Sequence, residues 1–233
     1  MTTLFYAPNI NGDIVVLEEE ESRHLLAALR GRAGEAVQLT DGKGYLYEAV
    51  IAEIGKKQAV LSIRAKTAIP VERTATIHLA VAPVKNLERF EWFLEKATEL
   101  GVNEITPLLC DRSERDTLRM DRMEKIMISA IKQCMRVHLP KLNPLTKFKT
   151  FLQQADAPQK RIGWCSDTPL PHIKDALLPK QNTIIAIGPE GDFSTGEIAL
   201  ALQHGFTGIS LGTARLRTET AGLLALSAAI IQL

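Results

Sequence analysis

The sequence predicts an α/β protein: a parallel sheet with helices, preceded by a small strand-rich region. Two features indicate this fold class. Residues 1 to about 70 contain three β-type runs separated by glycine-centred turns, at Ala36–Thr40, Tyr45–Ile54 and Gln58–Arg64. From Thr74 onward, buried-type strands alternate with amphipathic helices, which is the pattern of βα units in a parallel sheet. We therefore predict two domains, residues 1–70 and residues 74–233.

Composition excludes several classes of protein. The chain has 233 residues, of which 45% are hydrophobic and 24% charged, so it is long and apolar enough to bury a core. These values exclude disordered, collagen-like and disulfide-scaffold proteins. The net charge of +1 indicates no polyanionic partner by itself. The three cysteines and five histidines show no metal-ligand spacing, so we predict no metal site and a reducing compartment.

The N-terminal region is predicted to be an antiparallel barrel or meander. A short helix is expected near residues 20–30, before the three β-type runs, and Pro70 lies in a plausible linker. The N-terminus has no secretory pattern, and the longest apolar stretch, Ala221–Ile231, is too short to span a membrane. We therefore expect a cytoplasmic protein.

The second region is predicted to contain five strands and four helices. The predicted strands are Thr76–Ala82, Ile105–Cys110, Arg161–Cys165, Thr183–Ile187 and Gly208–Leu211. The predicted helices are Asn86–Leu100, Asp121–Met135, Thr195–His204 and Thr218–Ile231.

Ligands of open α/β sheets bind beyond the carboxyl ends of the strands, so the residues after each strand are informative. No GxGxxG or GxxxxGK[ST] motif occurs, which disfavours ordinary NAD, ATP and GTP sites. Glycine loops instead follow two late strands, at Gly188–Ser194 and Gly212–Ala221, and Thr218 is predicted to cap the last helix. From spacing alone, either a ligand site in the C-terminal half or two simple turns remains open.

The sequences of these loops, GPEGDFS and LGTARLRTETA, closely resemble the paired C-terminal motifs of the SPOUT methyltransferases. More narrowly, they resemble those of the ribosomal RNA small subunit methyltransferase E family. Further similar segments are KATELGV (96–102), ITP (105–107), RSER (112–115) and AIKQCMR (130–136). The N-terminal region, with LFYAP and LTDGKG, is similar to that family's PUA-like β-barrel.

The resemblance implies a SPOUT-type parallel sheet with a deep trefoil knot, a homodimer, and S-adenosylmethionine bound in the knot. The implied reaction is methylation of uridine N3 in small-subunit (16S) ribosomal RNA, with that RNA or the assembled small ribosomal subunit as partner. The implied cofactor-binding residues are Gly188, Pro189, Glu190, Gly191, Leu211, Gly212, Leu216, Arg217 and Thr218. Asp192 stands where the family usually has a second glycine, and Ala214-Arg215 replaces its usual Arg-aliphatic pair.

A uracil N3–H must lose its proton before N3 can accept a methyl group. Our hypothesis is that Arg217 stabilises the uracil anion while Glu190 or Glu219 takes the proton. Each acid has an equally weighted structural alternative. Glu219 would stabilise the start of a helix, and Glu190 would close its loop by hydrogen bonds to backbone.

Basic residues are concentrated between Arg112 and Lys149, where ten Lys or Arg and four acids give a charge of +6. This concentration favours phosphate contacts, although a solvated helix with i,i+4 pairs explains part of it. The candidates within family-like motifs are Arg112, Arg115, Gln133 and Arg136, and those in the barrel are Arg23, Arg30 and Arg32. Trp92 and Phe93 are interpreted as core residues.

Two other functions remain open from the sequence. One is an RNA-binding ribosome-assembly module without methyltransferase activity, in which the glycine loops are only turns. The other is a methyltransferase that acts on a different RNA.

Overall fold

The computed structural model describes residues 3–28, 31–55, 58–71 and 73–232. The chain divides into two compact units. Unit 1 comprises Met1–Glu72 and Ile128–Leu139, and unit 2 comprises Arg73–Met127 and Pro140–Leu233. Residues 128–139, which we expected in the second domain, therefore group with unit 1.

Unit 1 is a five-stranded sheet with one short helical segment. Its elements are β1 (Leu4–Tyr6), β2 (Ile14–Val16), α1 (Glu19–Arg23), a π-helical turn (His24–Ala28), β3 (Ala36–Thr40), β4 (Tyr45–Ile54) and β5 (Ala59–Ala68). The strand order is β1-β3-β4-β5-β2, with β3, β4 and β5 antiparallel and β1 parallel to β3. The three predicted strands are thus confirmed, whereas the three-residue strands β1 and β2 were not predicted.

The core of unit 1 follows from the alternation of side chains along a strand. In β4, Tyr47, Ala49 and Ile51 are buried on one face and pack with Phe5 and Leu39. The strand β5 runs four residues beyond its predicted end because it pairs with β4 as far as Tyr45.

Unit 2 contains a parallel sheet with helices between its strands, as predicted. Its elements are β6 (Ile77–Val81), α2 (Leu87–Leu100), β7 (Glu104–Leu109), α3 (Met120–Gln133), β8 (Lys141–Leu142), β9 (Thr146–Lys147), α4 (Phe148–Gln154), β10 (Gln159–Gly163), α5 (Ile173–Ala176), β11 (Thr183–Ile187), α6 (Thr195–Gln203), β12 (Thr207–Ile209) and α7 (Thr218–Gln232). The helix α3 belongs to this unit only as far as Met127, and its remaining residues group with unit 1. The strand order is β12-β10-β11-β6-β7-β8, with β9 also paired to β7. Every one of these pairs is parallel.

The helix α2 shows how local sequence determines an element of unit 2. The Asn86 side chain accepts a hydrogen bond from the Glu88 N–H and caps the first turn. Gly101 ends the helix in the left-handed conformation, with φ of +81°. The helix buries Phe90, Phe93 and neighbouring apolar residues.

The centre of the sheet is the most apolar part of unit 2. All five residues of β11 are buried, and β6 is buried except at His78, which is half-buried. Strands buried on both faces read as continuous apolar runs, which is why both were recognisable from sequence. Among the described residues, no helix combines the length and apolarity that a membrane crossing requires. The trefoil knot stays a prediction.

Candidate cofactor and RNA site

The site lies at the carboxyl edge of the unit 2 sheet. Because all its strands are parallel, the loops that follow them emerge at one edge. The β11 loop (residues 188–194) and the β12 loop (residues 210–217) are the two glycine loops that the sequence singled out. They follow strands separated in the sheet by β10 alone.

The β11 loop begins buried and ends exposed. Gly188 and Pro189 are buried, whereas Glu190 and Gly191 are exposed. The Asp192 N–H donates to the Pro189 carbonyl at 2.9 Å and closes a turn. A Cβ at Gly188 would lie 3.0 Å from the Phe193 ring, so glycine permits this close packing.

Thr218 connects the β11 loop to the start of α7. Its buried hydroxyl donates to the Gly188 carbonyl at 3.0 Å. The prediction that Thr218 caps α7 is wrong: the helix begins at Thr218 itself, and the Arg217 carbonyl accepts the first helical bond, from the Ala221 N–H. The side chain bonds to a residue 30 positions earlier instead of to its own helix.

Two further loops fix the exposed half of the β11 loop. The Glu190 carboxylate accepts a hydrogen bond from the Lys85 N–H at 2.9 Å, so it does close the loop to the segment after β6. Arg112, which follows β7, donates to the Gly191 carbonyl at 2.8 Å. Arg115 donates to the Lys85 carbonyl at 2.8 Å. Of the predicted RNA-binding arginines, Arg112 therefore contacts the predicted cofactor loop, and Arg115 contacts the segment after β6 to which that loop is bonded.

Asp192 adopts a conformation that favours glycine. Its φ is +63°, in the left-handed region that aspartate tolerates better than most residues. One carboxylate oxygen accepts from the Cys165 N–H and the other from the Phe193 N–H, each at 2.8 Å. The departure from glycine therefore preserves the backbone conformation and adds a bond to the loop after β10.

The β12 loop has open space beside its glycine. Gly212 has φ of +114°, and a Cβ built there would meet no atom within 4 Å. The Ser210 hydroxyl accepts a hydrogen bond from the Gly212 N–H at 3.2 Å. Leu211 and Leu216 are half-buried, and Arg215 is exposed.

A cavity of about 380 Å³ lies between the first turns of α2 and α7. Its lining residues are Glu88, Arg89, Trp92, Arg217, Glu219 and Thr220. It brings together Arg217 and Glu219, two of the three predicted catalytic residues, whereas Glu190 is not part of the lining. Trp92 is 46% exposed, so its interpretation as a core residue is wrong, while that of the fully buried Phe93 is confirmed.

The other predicted RNA-binding residues lie in unit 1. Arg23 is exposed and forms an ion pair with Glu19 at 3.1 Å. Arg32 and Gln133 are exposed, and Arg136 is half-buried. Arg30 lies outside the described residues. The candidates therefore divide between the two units, with Arg112 and Arg115 in unit 2.

Many side chains of the basic segment are paired. Arg122 contacts Glu91 at 2.6 Å, Arg119 contacts Asp121 at 3.2 Å and Lys141 contacts Glu104 at 2.9 Å. Lys132 is paired with the buried Glu21. Structural ion pairs thus explain part of this concentration of charge, as the alternative interpretation expected.

Lys85, Arg89 and Cys165 belong to the site, but sequence reasoning did not select them. Lys85 and Cys165 had a recognisable signal, because each follows a strand at the carboxyl edge. Arg89 had no such signal in the sequence, since it reaches the cavity lining only because α2 packs beside α7.

The chain is similar to known proteins along almost its whole length. The RNA methyltransferase domain family matches residues 71–230, and the RNA methyltransferase PUA domain family matches residues 17–64. A ribosomal RNA small subunit methyltransferase E from Buchnera aphidicola subsp. Acyrthosiphon pisum is 30% identical over 219 residues, covering 91% of this chain and 85% of the relative.

Two solved structures share the fold. The ribosomal RNA small subunit methyltransferase E from Neisseria gonorrhoeae, bound to S-adenosyl methionine, is 31% identical with a TM-score of 0.85, covering 98% of this chain and 96% of that one. A Legionella pneumophila protein in complex with the cofactor SAM is 33% identical with a TM-score of 0.90, covering 98% and 97%.

A PUA domain joined to a parallel sheet with two glycine loops at its carboxyl edge defines an RNA methyltransferase. Within that class, the chain belongs to the ribosomal RNA small subunit methyltransferase E family. The resemblance of its loop motifs to that family is confirmed.

Proposed function

We propose that this protein transfers a methyl group from S-adenosylmethionine to N3 of a uridine in 16S ribosomal RNA. Relatives that align with most of the chain are ribosomal RNA small subunit methyltransferases E, and two structural neighbours hold the cofactor. The observation that carries the proposal is the bond from Thr218 to Gly188, which joins the start of α7 to the β11 loop at the sheet edge. A ribosome-assembly module without methyltransferase activity is not favoured, because it leaves this arrangement without a role.

The residues at the edge fit the cofactor. S-adenosylmethionine presents an adenine ring, an amino acid end and a positively charged sulfonium, and it supplies an electrophilic methyl group. The open space beside Gly212 admits a ligand close to the backbone. The half-buried Leu211 and Leu216 offer apolar contacts to a ring. We propose that the pocket is formed by Gly188, Pro189, Glu190, Gly191, Leu211, Gly212, Leu216, Arg217 and Thr218.

The remaining task of the protein is to position the uracil and remove its N3 proton. Arg217 stabilises the negative charge that develops on the uracil oxygens. Glu219, 7% exposed and lining the same cavity as Arg217, accepts the proton. Glu190 keeps a place in the proposal as the second acid, although its carboxylate already accepts a bond from Lys85.

The proposal extends to RNA, partners and location. Arg112, Arg115, Gln133, Arg136, Arg23, Arg30 and Arg32 contact the RNA, with the N-terminal PUA domain as a second binding surface. The substrate is small-subunit RNA, free or within the assembled subunit. The protein acts in the cytoplasm as a homodimer whose C-terminal domain, residues 74–233, contains the knot.

The decisive experiment is transfer of labelled methyl to purified small ribosomal subunits that lack the modification. Nuclease digestion should recover the label as 3-methyluridine. Arg217→Ala should slow transfer by about 100- to 1,000-fold, the cost of losing one charge-stabilising donor. Lys174→Ala, at an exposed basic residue of α5 outside the proposed sites, serves as the matched control.

Each outcome of this experiment has a clear meaning. Cofactor binding without transfer to the subunit would indicate a different RNA substrate. If the protein showed no cofactor binding and no methyl transfer, the assembly-module interpretation would be favoured instead. Label in another nucleoside would contradict the uridine N3 assignment while leaving the methyltransferase activity intact.

A further inference from the structure

One side chain joins two loops of the proposed cofactor pocket. Asp192, in the β11 loop, accepts a hydrogen bond from the backbone N–H of Cys165, two residues after the end of β10. The strands β10 and β11 are neighbours, paired from Gln159↔Thr183 to Gly163↔Ile187. The bond therefore connects adjacent loops at the edge where the cofactor is proposed to bind.

The Asp192 carboxylate is fixed on both sides. Its Oδ2 faces the Cys165 N–H and its Oδ1 faces the Phe193 N–H, each at 2.8 Å. Hydrogen bonds to a charged acceptor are shorter and stronger than neutral ones.

The loop after β10 is bonded to the β12 loop at its far end, where the Ser210 N–H donates to the Pro171 carbonyl at 2.9 Å. Within the part of the chain that the structure describes, the remaining hydrogen bonds of residues 165–169 join the Cys165 thiol to the same Asp192 carboxylate and Ser166 to Thr168. Burial raises the pKa of the Cys165 thiol, with the Asp192 carboxylate adding to that effect and Arg215 opposing it. Asp192 of the β11 loop and Arg215 of the β12 loop therefore both interact electrostatically with Cys165.

We propose that Asp192 is a positioning residue that fixes the loop after β10 to the β11 loop, so that both form one wall of the pocket before the cofactor binds. The inference rests on the proposed use of S-adenosylmethionine. A wall that is already ordered spares the ligand the entropic cost of ordering it. Asp192 therefore acts on cofactor affinity and not on the methyl-transfer step.

Two substitutions separate the bond from the backbone conformation. Asp192→Gly keeps the positive φ without strain but removes both acceptor oxygens. Asp192→Asn keeps one acceptor oxygen for the Cys165 N–H and tolerates the same φ, so it is the matched control. Thermal unfolding of both variants checks that the fold is retained.

Amide hydrogen exchange of Cys165, measured by NMR without cofactor, reports the bond directly. Titration calorimetry with S-adenosylmethionine reports its effect on affinity. In Asp192→Gly we expect exchange at Cys165 to accelerate about tenfold or more and the Kd to rise about tenfold. The KM for the cofactor should rise while kcat at saturation stays near wild type. Asp192→Asn should retain most of both properties.

Unchanged exchange at Cys165 in Asp192→Gly would overturn the inference, as would faster exchange with an unchanged Kd. Equal losses in the Gly and Asn variants would show that charge, and not the bond, sets affinity, which also overturns it. A wild-type protein that does not bind S-adenosylmethionine would instead overturn the proposed function.

Discussion

At the scale of single residues, two acids compete for the proton of the substrate, and their surroundings differ. Glu190 is exposed and bonded to a backbone N–H, whereas Glu219 is buried in the lining of the cavity that contains Arg217. We predict that Glu219→Gln lowers kcat by about 100- to 10,000-fold, because an amide cannot accept the proton. Glu190→Gln should retain turnover, since its amide oxygen still accepts the bond from Lys85.

Single-turnover methyl transfer at saturating cofactor, measured across pH, tests this assignment. If Glu219 is the base, the fall in the methyl-transfer rate at low pH should disappear in Glu219→Gln. A purely structural role of Glu219 would not remove this pH dependence. Unchanged turnover in both variants would exclude proton transfer by either acid. Slow methyl transfer in Glu190→Gln, together with a normal rate in Glu219→Gln, would assign proton acceptance to Glu190 instead.

At the scale of elements, the packing of α7 on α2 depends on one glycine. A Cβ at Gly222 would lie 2.7 Å from the ring of Phe93, which is fully buried and packs on Phe90. We predict that Gly222→Ala lowers the free energy of unfolding by up to about 2 kcal/mol. Overpacking costs about 1–3 kcal/mol and exceeds the roughly 1 kcal/mol gained in helix propensity.

Gly196 in the first turn of α6 is the matched control for this prediction. A Cβ there would meet only the Ser194 hydroxyl oxygen, at 3.8 Å. Gly196→Ala should therefore leave stability unchanged or raise it by up to about 1 kcal/mol. Urea unfolding of both variants measures the change in the free energy of unfolding that each substitution causes. Equal effects would show that the Phe93 ring moves aside at little cost.

The elements that the sequence predicted well are those with a strong local pattern. The strand β11 was predicted to the residue because it is a continuous apolar run. The helix α2 was predicted to within one residue because its caps and apolar face agree. The strands β8 and β9 were missed because each has two residues and exists only through pairing with β7. The helix α4, of seven residues, was too short for a periodic pattern.

At the site, the sequence predicted which loops matter but not which contacts hold them. The hydroxyl of Thr218 and the carboxylate of Asp192 bond to residues 30 and 27 positions away, respectively. Such bonds follow from the sheet order, in which strands distant in sequence become neighbours. Local propensity predicted that Thr218 caps α7, but tertiary contact gives its hydroxyl a different partner, the Gly188 carbonyl.

At the scale of the whole molecule, the unfolding of unit 2 has an intrinsic probe. Both tryptophans, Trp92 and Trp164, lie in unit 2, so tryptophan fluorescence reports the unfolding of that unit.

Unit 2 also contains the half-buried His78. Its Nε2 lies 2.7 Å from the Thr106 hydroxyl, and its ring is nearly perpendicular to that of Phe151, with the ring centroids 5.7 Å apart.

Burial lowers the pKa of His78; the Glu104 carboxylate opposes this shift and Lys141 adds to it. The unfolded chain therefore binds this proton at higher pH than the folded one, so the contribution of His78 to stability is complete above about pH 6.5 and is lost as pH falls below it. We predict that unit 2 loses less free energy of unfolding between about pH 7.5 and pH 5 in His78→Gln than in wild type. Urea unfolding followed by tryptophan fluorescence at both pH values measures this difference, and the carboxylates that do not interact with His78 cancel between the two proteins. Equal losses would show that His78 does not couple folding of unit 2 to pH.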